Sequence, residues 1–513
     1  MKKFIQLLVV AIVGTTGNIY AQNGIYAGDA LRFSRTDYGS SARFKGLGNA
    51  QTSLGGDISS IGGNPAGLGM FTRSEFSITP EFNNIQANSN FLGQDTKTTK
   101  NKLNLNQAAV VWYNPIIKPK GSNLNKGVLS FVWGLGYNRN NDFSIDNNYS
   151  GKNTQSSIAN DWAQRANGYQ VNNLGETIEN TAFNSFLIDR KLGTNNQYLP
   201  ATSSTNNTQS SNEVRKGSTS ELNFSGAMNI SNNLYLGASI GFVNVYYESN
   251  SVYNESGTII KNPSDDSSPD TVNHTNPFVG NQYNLVNAVS TRTNGAGITG
   301  RLGLIYKPIN EVRIGATFQA PTWMHMEVER SEILDTRFTG SNPRTFQSDY
   351  LNTNFNYNVR TPYKATVGAS FILGQNALLT ADVDYIDYAS TKLSESDGYR
   401  DAITENNDYI KKNYGNAFNF RVGGEYKIEA FSLRAGYGYN GTPYKVDEGN
   451  MSAIKCYSGG IGYKINQYYV DLAYQRLETT NFFNPYYLDN GSEPLATTKV
   501  AKNNIFMTVG VRF

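Results

Sequence analysis

The sequence predicts an all-β fold: a transmembrane antiparallel β-barrel of about fourteen strands with an N-terminal plug and a helical insertion in one extracellular loop. Three observations carry that reading. The chain is only 38% hydrophobic over 513 residues, and past its first residues no apolar run approaches the roughly 20 that a membrane helix needs. Segment after segment alternates apolar and polar residues with period two, which gives a strand one oily and one polar face. The connections are lopsided, short at one end of the strands and long at the other, as in outer-membrane barrels.

The elements follow in chain order. Lys2 and Lys3, the apolar run from Phe4 to Val13 and the small residue Ala21 predict a secretory signal over 1–21. Cys456 is the single cysteine, so an exported chain has no intrachain disulfide to lean on. Residues 22–71 are too rich in small residues for a membrane strand, and a barrel this wide cannot fill its interior with its own side chains. This segment is therefore expected to be the plug. Within it, Pro65 lacks an N–H and pushes Asn64 out of the helical region, which makes Asn64-Pro65-Ala66 a stiff polar turn. The flanking Gly62, Gly63, Gly67 and Gly69 let backbone approach the barrel wall.

The barrel is expected over 72–513. Strands are predicted near 72–90, 102–113, 127–140, 217–230, 234–248, 288–307, 311–321, 352–373, 376–389, 415–427, 431–440, 454–464, 468–478 and 501–513. The C-terminal one is typical: Ile505, Met507, Val509, Val511 and Phe513 alternate with Thr508, Gly510 and Arg512. Tight turns fall at 231–233, 307–311, 372–376, 427–430 and 465–467, and longer connections at 141–216, 249–287, 322–350, 391–414 and 479–500. Tyrosine pairs at 246–247, at 385 and 388, and at 468–469 suit interfacial girdles. An even strand count places both termini on the short-turn, periplasmic side.

Two loops stand apart. In 155–193 the alternation disappears, and Ile158, Trp162, Ala163 and Ala166, then Phe183, Phe186 and Leu187, fall at helical spacing. Placed at the mouth of a barrel, Trp162, Phe183, Phe186 and Leu187 are candidates for first contact with an oily ligand. The 249–287 loop is polar, and its Asp265, Asp266 and Asp270 match no calcium-loop spacing.

Function classes narrow in the same way. A net charge of +3 argues against nucleic acid as a partner. Only His274 and His325 could serve as a catalytic base, neither in a triad-like setting, so the chain reads as no enzyme with no metal and no cofactor. Met324-His325-Met326 raises haem as an alternative ligand, but three neighbours on a strand cannot all face one group. Two glycine patterns, 295–300 and 436–441, open no helix and read as barrel glycines rather than a nucleotide loop.

The Asn-Pro-Ala motif and the later hairpins, "LGLIYKPINEVRIGATFQAP" (302–321), "TPYKATVGASF" (361–371), "FRVGGEYKIEAFSLRAGYGYNGTP" (420–443) and "IGYKINQYYVDLAYQ" (461–475), resemble the FadL/TodX family of outer-membrane transporters. That resemblance implies a fourteen-stranded barrel in which Asn64, Pro65 and Ala66 belong to a hatch. It also implies passive uptake of a hydrophobic small molecule, long-chain fatty acid-like or aromatic. In the family the third strand bends to open the barrel sideways to membrane lipid; here Gly134 and Gly136 are the candidates for that kink. The implied protein is a monomer of the bacterial outer membrane, and its Phe513 strand suits recognition by the barrel assembly machinery. A docking platform that binds secreted proteins through its long loops is the alternative.

Overall fold

A computed structural model describes residues 24–191, 193–202, 206–260, 276–374, 376–394 and 400–513. The predicted leader, with Lys2, Lys3 and Ala21, and the loop residues Asp265, Asp266, Asp270 and His274 lie outside the described residues.

Fourteen antiparallel wall strands close on themselves. They are β1 (Glu75–Phe91), β2 (Gln94–Pro115), β3 (Val128–Asp142), β4 (Asn207–Ile230), β5 (Leu234–Thr258), β6 (Gln282–Ile309), β7 (Val312–Gln319 and Trp323–Thr339), β8 (Leu351–Arg360 and Lys364–Leu373), β9 (Ala377–Asp387), β10 (Asn416–Ile428), β11 (Phe431–Asn440), β12 (Ile454–Ile465), β13 (Tyr468–Phe483) and β14 (Ala496–Arg512). Closure is the β1–β14 ladder, from Glu75↔Arg512 to Phe91↔Ala496. Closure removes the free sheet edge at that seam, which is what lipid demands of a spanning sheet.

The predicted tight turns are all present, and two connections break the lopsided rule. β1 and β2 join at the long-loop end through Leu92 and Gly93, both at positive φ (49° and 82°), which suits a two-residue hairpin. At the opposite end, 116–127 is the long exception.

Several strands outrun their predicted ends. β4, β5 and β6 have 24, 25 and 28 residues against 10 in β11. The cause is a switch in which face is oily. Low on β6, Ile298, Leu302, Leu304 and Tyr306 are exposed on the outside, where lipid would cover them; higher up, Tyr283 and Leu285 are buried on the inside and Asn284 is exposed. β5, β7 and β8 switch in the same way. The expected loop at 322–350 is accordingly corrected: Trp323–Thr339 continues the wall, paired to β6 and to Leu351–Arg360. Pro321 and Pro362 explain the interruption, since neither can donate to the ladder; beside them Thr322 and Thr361 bond to each other through N–H···Oγ1 (2.8 Å) and N–H···O (3.0 Å) contacts.

The tyrosine girdle also needs correction. Tyr246 and Tyr468 face outward, but Tyr247 and Tyr388 are buried, because adjacent strand residues point to opposite faces. Outer-face ring pairs are instead cross-strand: Phe431–Tyr463 (4.8 Å), Tyr437–Tyr457 (5.4 Å) and Tyr385–Phe418 (5.4 Å).

Residues 24–71 lie inside the barrel. They comprise α1 (Gly24–Ser34), α2 (Ala42–Gly46) and two 3₁₀ turns, Ile58–Ile61 and Pro65–Met70. The insertion between β3 and β4 holds a short strand Ile145–Asn153, α3 (Ile158–Ala166), α4 (Ile178–Asn184) and the ribbon Ile188–Arg190 with Tyr198–Pro200. Ser157 and Asn160 cap α3 reciprocally. The expected helical run ends at Asn184, so Phe186, at φ 60°, and Leu187 lie beyond α4. α5 (Arg400–Asn413) occupies what the alternation left as a loop at 391–414.

Candidate functional site

The lumen has two storeys, and the plug occupies both. In the lower one, contacts are polar and directional. Asn64 Oδ1 accepts the Ala66 N–H (3.1 Å), and its Nδ2 donates to Thr52 O (2.6 Å) in the plug and to Leu304 O (3.2 Å) on β6. The Asn-Pro-Ala turn can sit this close to the wall because β6 and β5 offer Gly303 and Gly237 there: a Cβ on Gly303 would collide with Asn64 and Pro65, and one on Gly237 with Pro65 and Ala66. Around it, Glu425 receives Arg43 (3.0 Å) and Arg434 (2.7 Å), and Arg434 reaches Asp471 (2.5 Å). Arg421 pairs with Asp384 (2.7 Å), and Arg301 with Glu221. Asp382 Oδ2 accepts the N–H groups of Gln51 (2.7 Å) and Thr52 (2.9 Å). Of these ion pairs Arg43–Glu425 joins plug to wall and the others brace the wall behind it, while Asp382 holds the plug through backbone N–H groups.

The upper storey is apolar. Val243, Val245 and Tyr247 of β5, Met324, Met326 and Val328 of β7, Phe355, Tyr357 and Val359 of β8, and Ile403, Ile410 and Tyr414 on and beside α5 form one chamber. α1 fills it with Tyr26, Ala27, Ala30, Leu31 and Phe33. Polar ties are few: Asn406 Oδ1 accepts the Ala27 N–H (2.9 Å), Tyr414 OH donates to Ala27 O (2.9 Å), and Tyr357 OH donates to Asp29 (3.2 Å). Met324 and Met326 face this chamber, whereas His325 is exposed on the outer face and meets Asn358 (2.9 Å), so the three cannot share one ligand.

The third strand leaves the wall, though not at the predicted glycines. β3 pairs without a shift through Gly134 and Gly136 on both sides, to Val111 and Ala109 of β2 and to Ser225 and Asn223 of β4. Those glycines instead make room for the plug: a Cβ on Gly134 would stand 2.8 Å from Ile61. Pairing with β2 stops at Gln107↔Asn138, and a register shift follows between Arg139 and Asn141. The chain then turns inward. Ile145–Asn153 pairs with β4 alone, and its Ile145 packs on Ile85, Ala87 and Val500 of β1 and β14, Tyr149 on Phe91. Among the described residues, β2 from 94 to 106 pairs only with β1. A break in the wall ladder therefore lies beside Leu103 (75% exposed) and Leu105. A cavity of about 200 Å³ lies along it, lined by Thr96, Asn148, Tyr149 and Ser210 among others.

The loop residues pack into a core at the mouth. Trp162 and Leu187 are fully buried there, and Phe183 and Phe186 sit partly buried at its margin, Phe186 against Phe278 (5.3 Å) and Phe346 (5.7 Å). Sequence reasoning missed α1, α5 and the ion-pair belt. α1 did carry a signal, the helical spacing of Tyr26, Ala27, Ala30 and Leu31.

The family model for outer membrane protein transport proteins (OMPP1/FadL/TodX) matches residues 191–485. No curated protein sequence matches the chain. Among solved structures, the fold is similar to the Pseudomonas putida toluene transporter TodX (TM-score 0.52, 14% identity, 93% of this chain and 99% of that one). It is also similar to a Pseudomonas aeruginosa FadL homologue (TM-score 0.50, 14% identity, 91% and 98%). The family match, together with the closed barrel and its inner plug, establishes that the chain belongs to the OMPP1/FadL/TodX family of outer membrane transport proteins.

Proposed function

We propose that the protein is a passive channel for uptake of hydrophobic small molecules, long-chain fatty acid-like or aromatic. The observation that carries this reading is the apolar cluster in the upper lumen, which α1 of the plug fills and which Phe143 joins where β3 turns inward. A docking platform would need no such cluster. The TodX and FadL names of similar folds support the same class of cargo.

In this reading the longer loops are extracellular, and the termini and short turns are periplasmic. Cargo first meets the margin of the loop core at Phe183 and Phe186, whereas Trp162 and Leu187 lie buried behind them and support that margin. It then takes the place of α1 in the chamber. Movement of the Asn64-Pro65-Ala66 turn, a hatch resting on Gly237 and Gly303, frees the way, and cargo leaves through the gap beside β2 into membrane lipid. Only a concentration gradient drives it. The protein acts as a monomer, inserted by the barrel assembly machinery through the strand ending in Phe513.

The test is mass spectrometry of lipophiles that co-purify with the detergent-solubilised protein, wild type against Asn64→Ala/Pro65→Ala. A lipophile retained by wild type, with altered occupancy in the variant, is the expected result. An empty wild-type barrel that brings down a protein instead overturns the reading in favour of the docking platform.

A further inference from the structure

The connection between β2 and β3, residues 116–127, is the long one at the short-turn end, and hydrogen bonds hold it in shape. Ile116 N–H on Leu129 O (2.9 Å) makes the last rung, Ser122 N–H reaches Pro119 O (3.1 Å), and the neighbouring β4–β5 turn holds the return through Ser231 N–H on Gly127 O (2.8 Å). Between Asp95 and Asp142 the chain has no acidic residue, and this turn carries Lys118, Lys120 and Lys126. None of the three is ion-paired among the described residues; Lys118 Nζ folds back on the carbonyl oxygens of Asn123 (3.0 Å) and Lys126, which do not cancel its charge. The turns 307–311 and 427–430 at the same end instead set Glu311 with Lys307 and Glu429 with Lys427. Ile117, 93% exposed, is the most exposed large apolar side chain among the described residues, and Leu124 on the same turn is 71% exposed. Just above, Trp112 pairs with Trp133 across the ladder, and both rings are exposed on the outer face. Their level is the rim of the wall, since Tyr113 N–H (3.2 Å, to Oγ) and Phe513 N–H (3.0 Å, to O) both bond to Ser74. Outward tryptophans at a rim mark the boundary between membrane and water, so the lysines hang at the level of lipid head groups.

We propose that the 116–127 turn is a docking surface for anionic phospholipid in the leaflet at the short-turn end, with Lys118, Lys120 and Lys126 on the phosphates and Ile117 and Leu124 against the upper acyl carbons. Charge complementarity selects the occupant: each lysine beside an anionic lipid surface adds to the attraction, whereas a zwitterionic surface returns little. The two aliphatic tips decide against a soluble anion, which would leave them in water. The inference concerns the membrane around the barrel and is independent of what passes through it. It places the lipid at the foot of the hairpin whose upper half parts where β3 turns inward.

The full-length protein is reconstituted in discs of mixed phosphatidylcholine and phosphatidylglycerol, and the lipids it retains are counted by native mass spectrometry. Wild type is expected to hold phosphatidylglycerol in excess of its share of the mixture, and Lys118→Gln/Lys120→Gln/Lys126→Gln to lower that excess about tenfold or more. Lys118→Arg/Lys120→Arg/Lys126→Arg should keep it, and Lys307→Gln, on another turn at the same end, should leave it unchanged. No excess in wild type, or the same excess in the Gln variant, overturns the site. A second measurement leaves the lysines in place: a fluorophore on Leu124→Cys, Cys456 being buried, is tested against a nitroxide on the lipid head group and against iodide in the water. Quenching by the nitroxide in phosphatidylglycerol vesicles, weaker in phosphatidylcholine, is the expected result. A label open to iodide and untouched by the nitroxide overturns the proposal, as does its cross-linking to a protein in whole cells, which gives the turn to a protein partner.

Discussion

The two storeys of the lumen hold the same plug by opposite means. Below, the Arg43–Glu425 pair, braced on the wall by Arg434 and Asp471, fixes it with directional contacts; above, α1 lies among aromatic and aliphatic side chains with few polar ties. Ion pairs specify one position, because a small displacement leaves a buried charge without its partner. Apolar contact is indifferent to what supplies it, so a ligand can replace α1 side chain for side chain. The lower storey is built to stay, and the upper one to exchange.

Three substitutions or conditions break that comparison, in order of expected size. Glu425→Gln strands Arg43 and leaves Arg434 to Asp471 alone in a site where the Glu425 side chain is only 1% exposed, and should cost about 3–5 kcal/mol, read as a lowered urea midpoint of the whole barrel. An unchanged midpoint would mean that the belt does not lock the plug. Phe33→Ala should loosen α1 by about 3 kcal/mol. It would show as faster amide exchange confined to α1, with exchange around Asn64 unaffected. If both segments loosen together, the storeys are one unit.

The smallest effect on the barrel is the pH dependence of the loop core. Burial pushes the Asp161 carboxyl up to about 7 against Arg165, whose opposing charge is shared with Glu179. The folded loop then holds a proton that the unfolded loop has lost. Its stability is full below the ordinary carboxylate value near 3.8, falls as pH rises from there to about 7, and is level above. Amide exchange of α3 should quicken across that window, and Asp161→Asn should abolish the trend without touching the plug.

How much of this was legible depends on the solvent that each stretch meets. β14 reads directly from Ile505 to Phe513 because lipid on one face enforces strict alternation. The upper halves of β5 to β8 were hidden because the oily face changes sides: Met324, Met326 and Val328 keep the same sequence phase as Ile314 and Phe318, but the break at Pro321 turns them to the inside. The Asn-Pro-Ala turn was visible as a motif, but its seat on Gly237 and Gly303 joins residues far apart in the chain. The bend was sought at Gly134 and Gly136, whereas the signal lay in the polar run from Asn138 to Asp142, where alternation ends before Phe143 and Ile145. The ion-pair belt left no local mark, since each member looks like any polar residue on a lumen face.

The same strands serve two solvents, and this makes their register a shared commitment. β6 shows Ile298, Leu302 and Leu304 to the outside low down and hides Tyr283 and Leu285 inside higher up, on one unbroken ladder with β5. An insertion of a single residue near Ala296 could not be absorbed where it occurs: every side chain on one side of it would change face. Asn284 would turn toward the aromatic core, Tyr283 and Leu285 toward water, and the cap at the long-loop end would lose its centre although the membrane belt beneath it remained intact.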